Sequence, residues 1–577
     1  MNTIAASVAR YPASPPENKA TSNIPSQAEP LIERASRAEW FHTADREEVP
    51  YAAVLVERAP MDQSRVSAIG VLARILPAAA ACVFIGAFLF VAVSRLAFPF
   101  ELEWTEGAML DRVDRVLAGQ SLYVAPTLDF VPFPYPPLYF LVAAPFVKLL
   151  GGGFFPLRLL SFLAALGCLA VLYVRGARDG GGAWSGLLSA GLFAGAYSVC
   201  GYWYDLARVD SLCFLFVLLS IHFVRSAGDR PLDERAALPT LLPAGVFLAL
   251  AFLTKQTAAI MGAFLALYSL AVHRRGALVF VGAAVVIGGG AWLLVDHLTG
   301  GWFSFFAVHL LTRLPIESTT PQGFWINDMP QLVPAGLLFL ALLLDRATDG
   351  GRADAAFFGL LATGLVLASY VGRVPKGGSL NALIPACAAS ALAFGPAAAR
   401  ILSRARDQTP RLRTIAEVWV AALCLIQFAL LAYDPRPQIP NVEDARAGRA
   451  FIAALAAVSG EVLVPGHGYL SILAGKTPYE HQSAIDDLVA TDPVAGETLR
   501  AEFERAVADR RFAAIVLDER AYFVFRPEMM RGYREDRRVC PDSDAFRATT
   551  GVRTRPCFLY APRPAGPARA GVVGPPV

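Results

Sequence analysis

The sequence predicts a polytopic α-helical membrane protein of about eleven spans, with a small soluble α/β domain after the last one. Three observations predict it. Only 17% of the residues are charged and 55% are hydrophobic, with a mean hydropathy of +0.47, whereas a soluble chain carries about a quarter charged residues. Between residues 67 and 433 the chain reads as apolar runs separated by short polar breaks. Each run is about 15–25 residues, enough to cross a ~30 Å hydrocarbon core at 1.5 Å per residue. Beyond Tyr433 the pattern changes to short β-type runs and amphipathic helices.

Residues 1–66 are polar and rich in Pro, Ser, Ala and Glu, with no apolar core of a signal peptide. They read as a disordered cytoplasmic tail. The spans that follow are placed at 70–95, 157–174, 184–202, 210–224, 240–254, 257–272, 277–296, 330–344, 356–371, 379–398 and 414–433. Sorting the loops alternately puts Arg175, Arg178, Arg225, Arg230, Arg235, Arg274, Arg275, Arg346, Arg352, Arg400, Arg404, Arg406, Arg411 and Arg413 on one side. The short loops of the other set hold Arg208, Lys255, Arg313, Arg373 and Lys376. Fourteen against five makes the first side cytoplasmic by the positive-inside rule. The N-terminus is then inside and the C-terminus outside.

The apolar stretch Pro137 to Leu150 is short and opens on Tyr-Pro-Pro. Counted as a crossing, it would invert every later loop. It is placed as an interfacial helix anchored by Tyr135 and Tyr139, so that 98–156 forms one large external loop. After the last span, Pro435, Pro437 and Pro440 read as a linker into an external domain, 434–577. There Val462-Leu-Val-Pro and Ala513-Ala-Ile-Val-Leu read as strands, and Phe451 to Val458 and Thr498 to Ala508 as helices. Six cysteines fall in apolar spans, where they act as small hydrophobes. Cys540 and Cys557 lie in the external domain and are a disulfide candidate. The Gly466-His467-Gly468 turn reads as a plain loop, and no motif holds a metal.

The charged residues of the external side carry the chemistry. Glu101, Glu103, Glu106, Asp111 and Asp114 follow the first span, and Glu106 opens a stretch with helical spacing. Asp205, Arg208 and Asp210 reach the same side, as do Lys255 and Gln256 in a tight turn and Arg373, Lys376 and Asn381 in a later loop. Placing a charge in a membrane costs about 2.5–3.5 kcal/mol at mid-bilayer and less at the edge. Cations retained there opposite carboxylates point to an anionic, lipid-like ligand, and a polyprenyl-phosphate sugar fits. Transfer of the sugar needs a carboxylate as general base and cations on the phosphate leaving group. A divalent cation is compatible with this chemistry but not required, because the leaving group carries a single phosphate. The small net charge of +3 and the lack of a basic stripe leave out nucleic acid.

The run Glu106-Gly107, the helix ending in Leu-Ala-Gly119-Gln-Ser-Leu-Tyr123, and Tyr135-Pro-Pro-Leu-Tyr139 resemble the first external loop of GT-C fold glycosyltransferases. The bacterial lipid A aminoarabinose transferases and the protein O-mannosyltransferases are members of that group. The resemblance covers roughly residues 70–400. In the family an Asp-Glu pair opens the loop helix and holds the essential acid; Glu106 matches its Glu, and Thr105 stands where the Asp would be. Glu103 is the alternative holder of that role. Asp210 resembles the second family acid, and Leu253-Thr-Lys255 the lysine-containing turn.

The expected function is an inverting glycosyltransferase at the outer face of a bacterial inner membrane. It would move a sugar from a polyprenyl-phosphate donor to a glycan, lipid or protein acceptor, in contact with membrane lipids. Glu106, Asp210 and Glu103 are the catalytic candidates. Arg208, Lys255, Arg373 and Lys376 are candidates for the donor phosphate, and Gln256, Asn381 and Tyr135 for substrate. The alternative is a transporter or flippase of lipid-linked or anionic substrates, which would place charges near the bilayer midplane in repeated halves.

Overall fold

The computed structural model describes residues 63–228, 234–520 and 529–564. These pack as one compact unit. Most of the predicted tail lies outside the described residues, and its last four positions begin the first helix.

Each predicted span coincides with an apolar helix. They are α1 (Gln63–Arg95), α4 (Phe154–Gly180), α5 (Ala183–Gly195), α6 (Asp210–Gly228), α7 (Glu234–Thr254), α8 (Ala258–Val272), α9 (Arg274–Leu298), α10 (Thr320–Thr348), α11 (Arg352–Arg373), α12 (Leu380–Ala405) and α13 (Pro410–Leu430). Eight of these are long and apolar enough to cross a membrane, while α5, α8 and the apolar part of α7 are shorter. The chain is a multi-pass membrane protein. Its periphery shows why: α9 buries only 11% of its apolar window, leaving Leu278, Val285, Val286 and Leu293 facing outward. In water that face would be a liability, but in hydrocarbon it is the expected surface.

At the centre, α12 has 83% of its window buried. Small residues let helices touch there with little side chain between them. A Cβ on Gly395 would meet the Ser185 carbonyl of α5, and one on Gly191 of α5 would meet Ala81 of α1.

The span placed at 184–202 ends as a helix at Gly195, because the chain unwinds into a turn ahead of α6. Gly201 and Tyr202 adopt φ of +64° and +63°, and the freed Tyr202 carbonyl accepts a 2.7 Å hydrogen bond from Arg95. Such backbone persists in a buried region only where other groups satisfy it.

Two helices lie in the loop between α1 and α4: α2 (Glu106–Leu117) and α3 (Leu138–Leu150). After α13 come α14 (Val442–Ala456), β1 (Val462–Leu463), α15 (Gly468–Leu473), α16 (Gln482–Thr491), α17 (Pro493–Ala508), β2 (Ala514–Leu517), β3 (Tyr533–Arg538) and β4 (Phe558–Pro562). The strands form one sheet in the order β1-β2-β4-β3, with β1 parallel to β2 and the other pairs antiparallel. A disulfide joins Cys540 to Cys557.

Strand β2 is apolar throughout and buried on both faces. Alternation sends Ala514 and Val516 toward Phe100, Phe451 and Leu455, and Ile515 and Leu517 toward a second core. That second core runs without a break from the C-terminal segment into the first loop, through Leu488 and Phe503 to Met109, Val113 and Phe140. The Pro-rich stretch is packed as well: the Oε1 of the buried Gln438 side chain accepts from Arg95 and Thr550. The loop and the C-terminal segment therefore share one core at one end of the bundle.

Candidate active site

Buried charge organises that end. Arg95, the last residue of α1, bonds both oxygens of Asp205 at 2.7 Å. Arg158, the fifth residue of α4, bonds both oxygens of Glu106 at 3.0 and 2.7 Å. Glu106 also accepts from the backbone N–H groups of Ala207 and Leu102, both at 2.8 Å. Burial raises the Glu106 pKa, but Arg158 and these donors outweigh it and hold the group below the ordinary carboxylate range. Glu106 is 0% exposed. All its strong acceptor positions are filled by protein, so it ties the start of α2 to α4 and to the turn before α6.

Glu103, three residues earlier, is placed differently. It lines a cavity of about 570 Å³. Its hydrogen bonds all fall on Oε2, from Arg208 at 3.0 Å and from the Thr105 N–H and hydroxyl at 3.1 and 2.7 Å. Burial raises its pKa, and Arg208 and Thr105 reverse only part of that rise. A carboxylate at a cavity wall with a raised pKa suits a general base. Thr105 orients Glu103 through these two hydrogen bonds. The expectation that Glu106 meets substrate does not fit this geometry; Glu103 does meet the cavity.

Arg208 also donates to the Tyr135 hydroxyl at 3.0 Å, and both line the cavity. Lys255, in the turn between α7 and α8, bonds Asp210 Oδ1 at 2.7 Å, and Asn381 bonds the same oxygen at 3.0 Å. Lys255 and Asn381 line both the main cavity and a small neighbouring one of about 30 Å³, which Asp210 lines. The smaller space runs among α6, α8, α11 and α12. Gln256 lines the main cavity while its amide N–H₂ donates to the Pro134 and Ala307 carbonyls, both at 2.8 Å. Its role there is to join two loops. Lys376 lines the cavity too. Arg373 turns away from it, to Asp328 at 3.1 Å and the Gly378 carbonyl at 2.7 Å, and shapes the loop that carries Lys376.

Glu103 and Asp210 are each engaged by a cation, Arg208 and Lys255. Among the described residues no group of three or more His, Cys, Asp or Glu is arranged to hold a metal ion.

Several wall residues carried no signal at sequence level. Ser483 and Asp487 of α16 line the cavity, as do Trp104, Trp203 and Phe133. The spacing of Ser483 and Asp487 at i and i+4 was readable, but what their face meets was not. His467 is not a plain loop residue: its Nδ1 bonds Glu101 and its Nε2 bonds Asp518 at 3.0 Å, with all three side chains buried.

The model of the family described as dolichyl-phosphate-mannose-protein mannosyltransferase matches residues 134–287, the stretch holding Arg208, Asp210 and Lys255. The apo crystal structure of ArnT from Cupriavidus metallidurans superposes with a TM-score of 0.53, covering 83% of this chain and 97% of that one at 16% identity. The fold is GT-C. ArnT bound to undecaprenyl phosphate gives a TM-score of 0.46 at 15% identity, over 76% of this chain and 92% of that one. The oligosaccharyltransferase AglB from Archaeoglobus fulgidus, in complex with an inhibitory peptide and a dolichol-phosphate, gives 0.46 at 12%, over 75% and 69%. No curated protein matches the sequence. Within the GT-C fold of this chain, the cavity lies between the helix ends and the first loop, with the C-terminal segment closing it.

Proposed function

We propose that this chain is a membrane glycosyltransferase that uses a polyprenyl-phosphate sugar donor. The observation that carries the reading is one cavity, at the end of an apolar bundle, bordered by Glu103 and by three cations, Arg208, Lys255 and Lys376. The family-model match and the fold agree with it. In the reaction, Glu103 takes the proton from an acceptor hydroxyl. The acceptor oxygen bonds to the anomeric carbon from the face opposite the phosphate, so the centre inverts. The carbon–oxygen bond to phosphate breaks, and its electron pair leaves with the phosphate, where Lys255 and its cationic neighbours stabilise the charge. Asp210 holds Lys255 in place and is itself held by Asn381.

The outer face of a bacterial inner membrane is the proposed location. An alkaline phosphatase fusion after Ala432 is then active and one after Arg275 inactive, and the reverse pattern overturns this orientation. The reaction is tested in proteoliposomes loaded with polyprenyl-phosphate sugars of a bacterial lipid extract. The expected result is release of polyprenyl phosphate that depends on Lys255, with Lys255→Ala weakening donor use. Turnover unaffected by both Lys255→Ala and Glu103→Gln would sink the mechanism.

A further inference from the structure

The cavity has a wall that the transfer chemistry leaves unused. Helix α16, from the C-terminal segment, presents Ser483 and Asp487 one turn apart, and both line the cavity. Asp486 lies beside them, and its Oδ1 is buried with no hydrogen-bond partner among the described residues. The influences on Asp487 are burial and charge alone, with no hydrogen bond to its carboxylate among the described residues. Burial, and then the Asp486 carboxylate, push Asp487 up to about 7, while the Lys376 ammonium acts the other way. Burial likewise pushes Asp486 up to about 6. Asp487 therefore offers unused acceptor capacity to the cavity, and the two neighbouring carboxyl groups resist further negative charge.

The aromatic residues point the same way. Trp104, Trp203, Phe133 and Tyr135 line the same cavity. Aromatic side chains and hydrogen-bonding carboxyl groups on the walls of one cavity suit a ring with C–H groups on its faces and hydroxyls at its edge. A phosphorylated headgroup would meet like charge at Asp487, with Asp486 behind it, and a long apolar chain would leave Ser483 and Asp487 unpaired.

We infer that α16 forms an acceptor subsite, with Ser483 and Asp487 taking hydroxyls of an uncharged glycan, so that the acceptor is a neutral sugar rather than a phosphorylated lipid. This rests on the transferase reading above and names its second substrate. The C-terminal segment thereby sets specificity, while the helix ends hold the donor.

The test uses full-length protein in nanodiscs and follows tryptophan fluorescence, since Trp104 and Trp203 line the cavity. One titration uses a panel of neutral methyl glycosides, a second the corresponding sugar phosphates, and a third undecaprenyl phosphate. Saturable binding of at least one neutral glycoside, tighter than its phosphorylated counterpart, is expected. Asp487→Ala weakens it about tenfold, the loss of a hydrogen bond to a charged group, and Ser483→Ala weakens it less. Both variants bind undecaprenyl phosphate as the wild type does, which shows that they are folded. Tighter binding of the phosphorylated sugars, no binding of any neutral glycoside, or indifference to both substitutions overturns the subsite. If undecaprenyl phosphate fails to bind while glycoside binding still depends on Asp487, the donor reading fails and the glycan wall stands.

Discussion

Arginine–carboxylate pairs lace both ends of the helical bundle, in very different surroundings. At the end away from the cavity, Arg225 bridges Asp179 and Asp354, Arg346 joins Asp354, and Arg400 joins Asp345 and Asp349. These pairs tie α4, α6, α10, α11 and α12 together; Arg225–Asp179 is enclosed, but the Arg400 and Asp345 side chains are 25% and 23% exposed. At the cavity end, Arg95–Asp205, Arg158–Glu106 and Arg112–Glu480 are almost fully enclosed. Between those enclosed pairs stand Arg208–Glu103 and Lys255–Asp210, which border open space. The difference teaches that pairing alone does not reveal a role. An enclosed pair has no face left for a ligand and holds elements together, whereas a pair at a cavity wall can exchange a partner for substrate.

The largest effects are expected from neutralising the two neighbouring glutamates separately. Glu103→Gln is expected to lower turnover by about 10²–10⁴, the usual cost of a lost general base, and to lower the thermal midpoint less than Glu106→Gln, because Glu103 takes one hydrogen bond from Arg208 and Glu106 two from Arg158. Glu106→Gln leaves the Arg158 guanidinium buried without its counter-charge. Breaking such a pair costs about 3–5 kcal/mol, so this variant loses stability and folded yield first. Wild-type stability in Glu106→Gln together with abolished turnover would return the catalytic role to Glu106.

On the C-terminal side the enclosed pairing extends to His467. Burial lowers its pKa, but Asp518 and Glu101 outweigh that and push it up to about 10, from an ordinary 6.5. A raised folded-state pKa means that the clamp's contribution is complete below about 6.5 and is lost as pH climbs through about 10. Thermal midpoints of the detergent-solubilised protein should therefore fall across that window. His467→Gln should flatten the fall, and an equally steep fall in that variant would assign it to other groups. The smallest effect belongs to the far end. Arg400→Ala breaks partly exposed pairs and should change stability by about 1 kcal/mol or less, with turnover intact. A loss as large as that of Glu106→Gln would show that the two ends are not distinct.

The sequence by itself determined the membrane class, the positions of the apolar helices and the grouping of charged loops. Those depend on hydropathy over a window of neighbours, which the bilayer enforces without help from the rest of the fold. It also contained the β1 and β2 strands, because a short apolar run between turns is a local signal. Strand β3 has no such signal, since five of its six residues are charged, whereas β4 carries the apolar run Phe558-Leu-Tyr-Ala561, a local signal of the same kind. Only the tertiary structure decided which glutamate faces the cavity. Glu106 is enclosed because Arg158, 52 residues later, and the Ala207 N–H, 101 residues later, converge on it. Nothing local separates it from Glu103. Likewise α16 reaches the cavity only because a core continuous from Leu488 to Met109 carries it there, and side chains so far apart in the chain meet through packing, which no local pattern encodes.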